Sequence, residues 1–186
     1  MQATPPPLPH AMMMNSPFGP AQITLPSDKE IRIVRDFAAP RALVFDAWTK
    51  PEWVRRWFGC DGQIVTLCED ELRAGGKFRR VLEGAPGTEG TPYAGRHGFS
   101  GEYTVFDRPA RLVSIQRYEN LADTDHEVIV TFEDVSTGGA PRTRMTMTFV
   151  HRSTTNRDGH LCSGMEDGLN NSFDRLDAAL RELPAS

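Results

Sequence analysis

The chain has 186 residues, of which 39% are apolar and 25% charged, with a formal net charge of −4. That length suits one globular domain. A slightly acidic chain lacks the basic excess that displaces counterions from phosphates, so no nucleic-acid partner is expected. No apolar run reaches the roughly 18–20 residues that span a bilayer. No Lys or Arg precedes Lys29 to open a secretory leader, and a cytoplasmic protein is expected. Cys60, Cys68 and Cys162 are odd in number and form no Cys-x-x-Cys pair. This argues against a disulfide framework or a zinc site and for three reduced thiols.

Residues 1–27 hold seven of the fourteen prolines and no charge apart from the ionisable His10. Pro5, Pro6, Pro7 and Pro9 favour extended polyproline conformations over a packed element, so 1–27 is expected to be a disordered Pro/Met-rich segment. Met12, Met13 and Met14 offer an alternative start, which would leave the preceding residues outside the natural protein. The rival reading is a proline-rich ligand for a partner. The folded domain is expected over 28–186.

From Asp28 the pattern becomes regular. Glu30 to Phe37 alternates, with Ile31, Ile33 and Phe37 on one side and Arg32 and Asp36 on the other, as in a half-buried strand. Pro40 and Pro51 each open a short helix, a position where proline is tolerated. The first carries Leu43, Val44, Ala47 and Trp48 at helical spacing. The second carries Val54, Trp57 and Phe58 and stops at Gly59. Strands are predicted at 63–68, 77–82, 99–106, 112–118, 126–133 and 143–150. Gly75-Gly76 and Asp107-Arg108-Pro109-Ala110 form turns, and the glycine-rich 84–98 a long mobile loop. Ser163 and Glu166 read as a capping box opening one long helix. Its apolar stripe is Met165, Leu169, Phe173 (or Ser172), Leu176, Leu180 and Leu183. Consecutive strands with tight turns imply an antiparallel sheet, and helices on one face make it an α+β domain.

Four segments then carry a family resemblance. They are Phe37-Ala38-Ala39-Pro40-Arg41-Ala42-Leu43-Val44-Phe45-Asp46-Ala47-Trp48-Thr49 and Pro51-Glu52-Trp53-Val54-Arg55-Arg56-Trp57-Phe58-Gly59, followed by Leu72-Arg73-Ala74-Gly75-Gly76-Lys77-Phe78 and Asp107-Arg108-Pro109-Ala110-Arg111-Leu112-Val113. Together they resemble bacterial proteins similar to the C-terminal domain of the activator of Hsp90 ATPase, within the START-like or helix-grip superfamily. The resemblance covers roughly residues 29–183. It implies a curved antiparallel sheet of about six to seven strands wrapped around a long C-terminal helix, with two short helices after the first strand. It also implies a cavity between sheet and helix that takes lipids, hormones, polyketides or aromatic compounds. The resemblance implies that most members of this branch have no shared catalytic residues, so none is assigned here, and no cofactor is expected.

The candidate ligand-binding residues are Trp57, Phe58, Phe78, Arg80, Tyr103, Met147, Met165, Leu169 and Phe173. Trp57 and Phe58 suit either core packing or the cavity wall, each aromatic burying about 150–250 Å². The alternation of 77–82 puts Arg80 on the face of Phe78 and Leu82. An unpaired buried guanidinium is costly, so Arg80 either clamps an anionic ligand or finds an internal partner such as Glu102, or reaches solvent at an edge. Tyr103, Gln116 and Tyr118 are polar groups that could orient a ligand in an apolar pocket. Met145, Met147 and Met165 suit core gaps or a permissive lining. Gly168 makes room for a ligand or for a close strand. None of His10, His97, His126, His151 and His160 is paired at i, i+4, so no metal site is predicted. His97 is either a surface histidine or an acid–base group at a cavity mouth, with loop 84–98 as its lid. The expected function is binding of a small, largely apolar or amphipathic molecule, acidic where Arg80 is the anchor. The alternatives are a protein-interaction or co-chaperone-like module and a cyclase- or hydrolase-type enzyme.

Overall fold

The computed structural model describes residues 18–91 and 93–182. In chain order the elements are β1 (Gln22–Thr24), β2 (Glu30–Phe37), α1 (Arg41–Thr49), α2 (Pro51–Trp57), β3 (Gln63–Asp70) and β4 (Lys77–Gly84). They continue with β5 (Arg96–Asp107), β6 (Arg111–Tyr118), β7 (His126–Asp134), β8 (Thr143–His151), α3 (Thr154–Leu161) and α4 (Met165–Glu182). The described residues form one eight-stranded antiparallel sheet in the order β1-β2-β8-β7-β6-β5-β4-β3. This is the α+β helix-grip architecture that the resemblance implies, with one strand more than expected.

The extra strand corrects the N-terminal boundary. Gln22–Thr24 pairs with β2 from Val34 to Arg32, so ordered structure begins before Asp28. The proline run, His10 and Met12–Met14 lie outside the described residues, as does Leu183. Three local expectations also change. β3 runs on to Asp70, two residues past Cys68. β5 takes Arg96–Gly98 from the glycine-rich stretch, and the remaining connection is tied by consecutive turns in which Thr88, Thr91 and Ala94 N–H groups donate to Ala85, Thr88 and Thr91 carbonyls. An additional helix, α3, precedes α4. Ser153 caps α3 by accepting from the Asn156 N–H at 3.1 Å, whereas the Ser163 hydroxyl donates back to the His160 carbonyl at 2.7 Å. Ser163 therefore closes the end of α3 instead of forming a capping box on α4.

The cross-strand register shows which side chains share the concave face, because residues paired across antiparallel strands point the same way. One row reads Ile31, Phe149, Val128, Ser114 and Tyr103; the next reads His151, His126, Gln116, Gly101, Phe78 and Asp70. Beyond these lie Tyr118, Phe99, Arg80 and Cys68, then His97, Leu82 and Val65. The half of the sheet nearest β2 is apolar and closed by helix packing. Phe173 of α4 meets Phe37 and Trp48 edge-on or tilted at 6.2 and 6.0 Å, and Trp48 lies 4.9 Å from Trp57. The half nearest β3 carries most of the polar groups.

Arg35 brings a charge into the apolar side. The alternation of β2 puts it inward with Ile33 and Phe37, where its Nη2 donates to Asp174 at 2.7 Å and to Asp177 at 2.9 Å, both on α4. No helix among the described residues is long and apolar enough to cross a membrane.

Gly101 shows how tightly the concave face is packed. A Cβ there would stand 2.2 Å from the Ile115 carbonyl oxygen and 2.7 Å from the Phe78 ring. The Phe78 ring thus occupies the space over its cross-strand glycine partner. Gly101→Ala is expected to destabilise the fold by about 1–3 kcal/mol, the usual range for overpacking a core, read as a lower urea midpoint at unchanged slope.

Candidate functional site

The polar half of the concave face is built from four strands. Extending β3 past Cys68 turns Asp70 inward, and the alternation of β4 and β5 brings Arg80 and Tyr103 to it. Asp70 is fully buried and accepts from Arg80 Nη2 and from the Tyr103 hydroxyl, each at 2.7 Å. The Cys68 thiol donates to its other oxygen at 3.4 Å, and Arg80 Nη2 lies 3.3 Å from the Tyr103 hydroxyl. The Arg80 guanidinium also lies over the Phe58 and Phe78 rings, at 5.3 and 5.4 Å.

This arrangement corrects the reading of Arg80 as a free anchor for an anion. Its partner is Asp70, not Glu102, which lies on the exposed face. Burial works against the Arg80 charge, but the Tyr103 and Asp70 oxygens outweigh it and its pKa is raised. Burial, reinforced by Asp70 against the pull of Arg80, pushes the Tyr103 phenol well above its ordinary value. It pushes the Cys68 thiol up to about 11. At neutral pH the cluster is one ion pair with a protonated phenol and a protonated thiol, so Cys68 is a poor nucleophile.

The nine predicted residues divide by position. Phe58, Phe78, Arg80 and Tyr103 come together around Asp70. Trp57 is core: its Nε1–H donates to the Ala47 carbonyl at 2.8 Å, and one edge meets Phe58 at 5.9 Å. Met147, Met165 and Phe173 are buried in the main core, and Leu169 packs half-buried against it. Gly168 faces Cys60, whose sulfur would lie 3.2 Å from an added Cβ, so what approaches it is the loop after α2 and not a strand.

A second group follows the same face toward the end where loop 85–95 joins β5. Phe58 meets Phe99 at 5.5 Å, Phe99 meets Tyr118 at 5.2 Å, and Tyr118 stacks on His97 at 6.2 Å. All four are half-buried. Sequence reasoning missed Asp70 and Phe99. The signal for Asp70 was present in the Cys68-x-Asp70 spacing, which continues the strand period. Phe99 was visible only as the start of a strand.

A third group lies at the same end of the sheet. His126, His151 and His160 surround Phe149, with His126–His151, His151–His160 and His126–His160 ring centroids 5.0, 5.2 and 5.6 Å apart. His160 Nδ1 lies 3.2 Å from His151 Nε2. They share no helical spacing, because each comes from a different element. Among the described residues no set of three or more His, Cys, Asp or Glu side chains is disposed to hold a metal ion. Burial holds His151 down to about 4 and His160 down to about 3, with the neighbouring histidines adding to it and Arg157 adding to it at His151. Burial also lowers His126, against the opposing Thr124 carbonyl and Asp125.

On the outer surface, two adjoining hollows of about 230 and 490 Å³ share Glu119 and Asn120. Neither is lined by any of the nine candidate residues.

Two outcomes follow from these groups. Arg80→Leu leaves the buried Asp70 without its cation and is expected to cost about 3–5 kcal/mol. Adding Asp70→Leu should recover most of that loss, both read from urea unfolding. For the histidines, the unfolded chain binds protons near pH 6.5 and the folded chain only well below it. Their contribution to stability is complete above about pH 6.5 and is lost as pH falls toward 4 and then 3. His160→Phe is expected to flatten the fall in melting temperature between pH 7 and 4.5.

The family model for activator of Hsp90 ATPase homolog 1-like proteins matches residues 38–181. A Rhodobacter sphaeroides protein of known structure is 24% identical, with a TM-score of 0.78 over 88% of this chain and 99% of its own. A Mycobacterium smegmatis protein is 20% identical, with a TM-score of 0.73 over 89% of this chain and 99% of its own. An Arthrobacter aurescens protein is 24% identical, with a TM-score of 0.72 over 89% and 93%. At these identities the structures establish a shared fold. No curated protein matches the chain.

Proposed function

This chain belongs to the activator of Hsp90 ATPase homolog 1-like family, and from that premise we propose that its concave sheet face binds a small, largely apolar, aromatic molecule. The observation that carries the reading is the row Phe58, Phe99, Tyr118 and His97, four aromatic side chains in mutual contact and half-buried on the concave face. Partly exposed aromatic surface beside a few fixed polar groups is the usual composition of a small-molecule site. Because Arg80 is neutralised by Asp70, the ligand needs no acidic group. In this reading the loop that joins β5 next to His97 would cover that end.

The rival reading, a protein-interaction module, needs a contiguous exposed apolar patch. The large exposed apolar side chains among the described residues, Leu25, Ile64, Leu72, Tyr93, Ile115 and Leu121, come from six separate segments of the chain, which gives that reading no specific support. An enzyme of the cyclase or hydrolase type would use the Arg80–Asp70–Tyr103 cluster. There the partners satisfy one another instead of presenting a free acid or base.

The test is a thermal melt and a fluorescence titration of the full chain with 2-naphthol. Saturation at about 100 times the dissociation constant should add about 2.7 kcal/mol of stability, seen as a raised melting temperature. Phe99→Ala is expected to weaken binding about tenfold, since it removes a buried aromatic contact. No stabilisation of the wild type by 2-naphthol, or unchanged affinity in Phe99→Ala, would overturn the reading.

A further inference from the structure

Tyr118 and His97 hold a hydrogen-bond pattern that the Asp70 cluster does not. His97 Nε2 lies 3.0 Å from the Ala94 carbonyl oxygen, and His97 Nδ1 lies 2.8 Å from the Tyr118 hydroxyl. A carbonyl oxygen only accepts, so Nε2 carries the proton. In the neutral ring Nδ1 is then an acceptor, and the Tyr118 hydroxyl must donate to it. The tyrosine proton is thereby committed, and the lone pairs of its oxygen are what it offers to anything else.

Both residues are held in place. The Tyr118 N–H donates to the Thr124 hydroxyl at 3.1 Å, and that hydroxyl lies 2.9 Å from the Tyr118 carbonyl. Ala94 is fixed by its N–H bond to the Thr91 carbonyl, and the neighbouring Gly95 carbonyl accepts from the Gly84 N–H. Burial holds the Tyr118 phenol above its ordinary value, so it remains protonated at neutral pH. The pair stands at the end of the aromatic row, with Phe99 5.2 Å from Tyr118 and Phe58 beyond it.

We propose that His97 and Tyr118 form a polarised relay that selects ligands carrying a phenolic or enolic hydroxyl. The ligand's aromatic body lies along Phe99 and Phe58, its O–H donates to Tyr118 Oη, Tyr118 donates to His97 Nδ1, and His97 Nε2–H donates to the Ala94 carbonyl. Each bond in such a chain strengthens the next. A ligand with an ether in place of the hydroxyl has no proton to give and leaves the Tyr118 oxygen unmatched. This inference rests on the concave face being the binding site and names the ligand class that the site selects.

The experiment compares 2-naphthol with 2-methoxynaphthalene on the full chain, by calorimetric or fluorescence titration. Wild type is expected to prefer 2-naphthol by about fivefold, the worth of one hydrogen bond. Tyr118→Phe should bring the two affinities level while leaving 2-methoxynaphthalene binding within about twofold of wild type. His97→Phe removes the acceptor, frees the Tyr118 proton to donate outward, and should shrink or invert the preference. A preference undiminished by either substitution, or wild-type binding of both compounds with equal affinity, overturns the relay while leaving the site. Failure of the wild type to bind either compound overturns the site itself and the relay with it.

Discussion

A curved sheet closed by one helix must hold that helix at a fixed height and register, and here the Arg35 guanidinium does so. It emerges from the apolar half of β2 and is shared by Asp174 and Asp177 on α4. A charge taken this far from water is tolerated only beside its partners, so a shift of α4 by one turn would strand it. With the helix placed, its polar side chains meet the backbone of neighbouring segments. Asn170 accepts from the Ala21 N–H, Asn171 accepts from the Asp61 N–H, and the Ser172 hydroxyl donates to the Gly59 carbonyl. The strand at the N-terminus and the loop after α2 are thus positioned by the same helix that closes the core.

The polar side chains inside the sheet differ in how completely they are satisfied. Around Asp70, Arg80, Tyr103 and Cys68 all find one carboxylate, and the Phe58 and Phe78 rings cover the guanidinium. Such a network contributes a fixed geometry and little reactivity, because the guanidinium, the phenol and the thiol each already have an acceptor. At Tyr118 the chain of donors runs the other way, from the hydroxyl to His97 to a backbone carbonyl, and it ends in an oxygen with spare accepting capacity. The two networks, a few strands apart on one face, thus differ in whether an oxygen keeps accepting capacity.

The two histidine groups share an end of the sheet and differ in their surroundings. His126, His151 and His160 pack around Phe149 and are kept neutral by burial and by one another. They join α3 to β7 and β8 through uncharged rings, an arrangement that acid weakens. His97 is instead held by two hydrogen bonds at the start of β5. Protonating the first group changes how firmly α3 is seated, whereas His97 governs the direction of a single hydroxyl.

Much of this was legible along the chain. Alternation in some segments and turn residues between the others placed seven strands. Pro40 and Pro51 marked both short helices, and the stripe from Met165 to Leu180 marked α4. The inward turn of Arg80 followed from Phe78 and Leu82, because alternation is a local property of extended backbone. What local pattern does not carry is pairing. Arg35 has the parity of Ile31 and Ile33, yet its acceptors lie some 140 residues further on. Asp70 becomes the partner of Arg80 only through the register of β3 on β4, and His97 reaches Tyr118 only because β5 pairs with β6. The three histidines come from three elements with no common spacing. By itself the sequence determined most of the elements and, where alternation was clear, which residues share a side of the sheet, since both depend on neighbours in the chain. Only the tertiary structure decided which buried charges cancel and which hydroxyl remains open, since both depend on strand register and helix height set by contacts far apart in sequence.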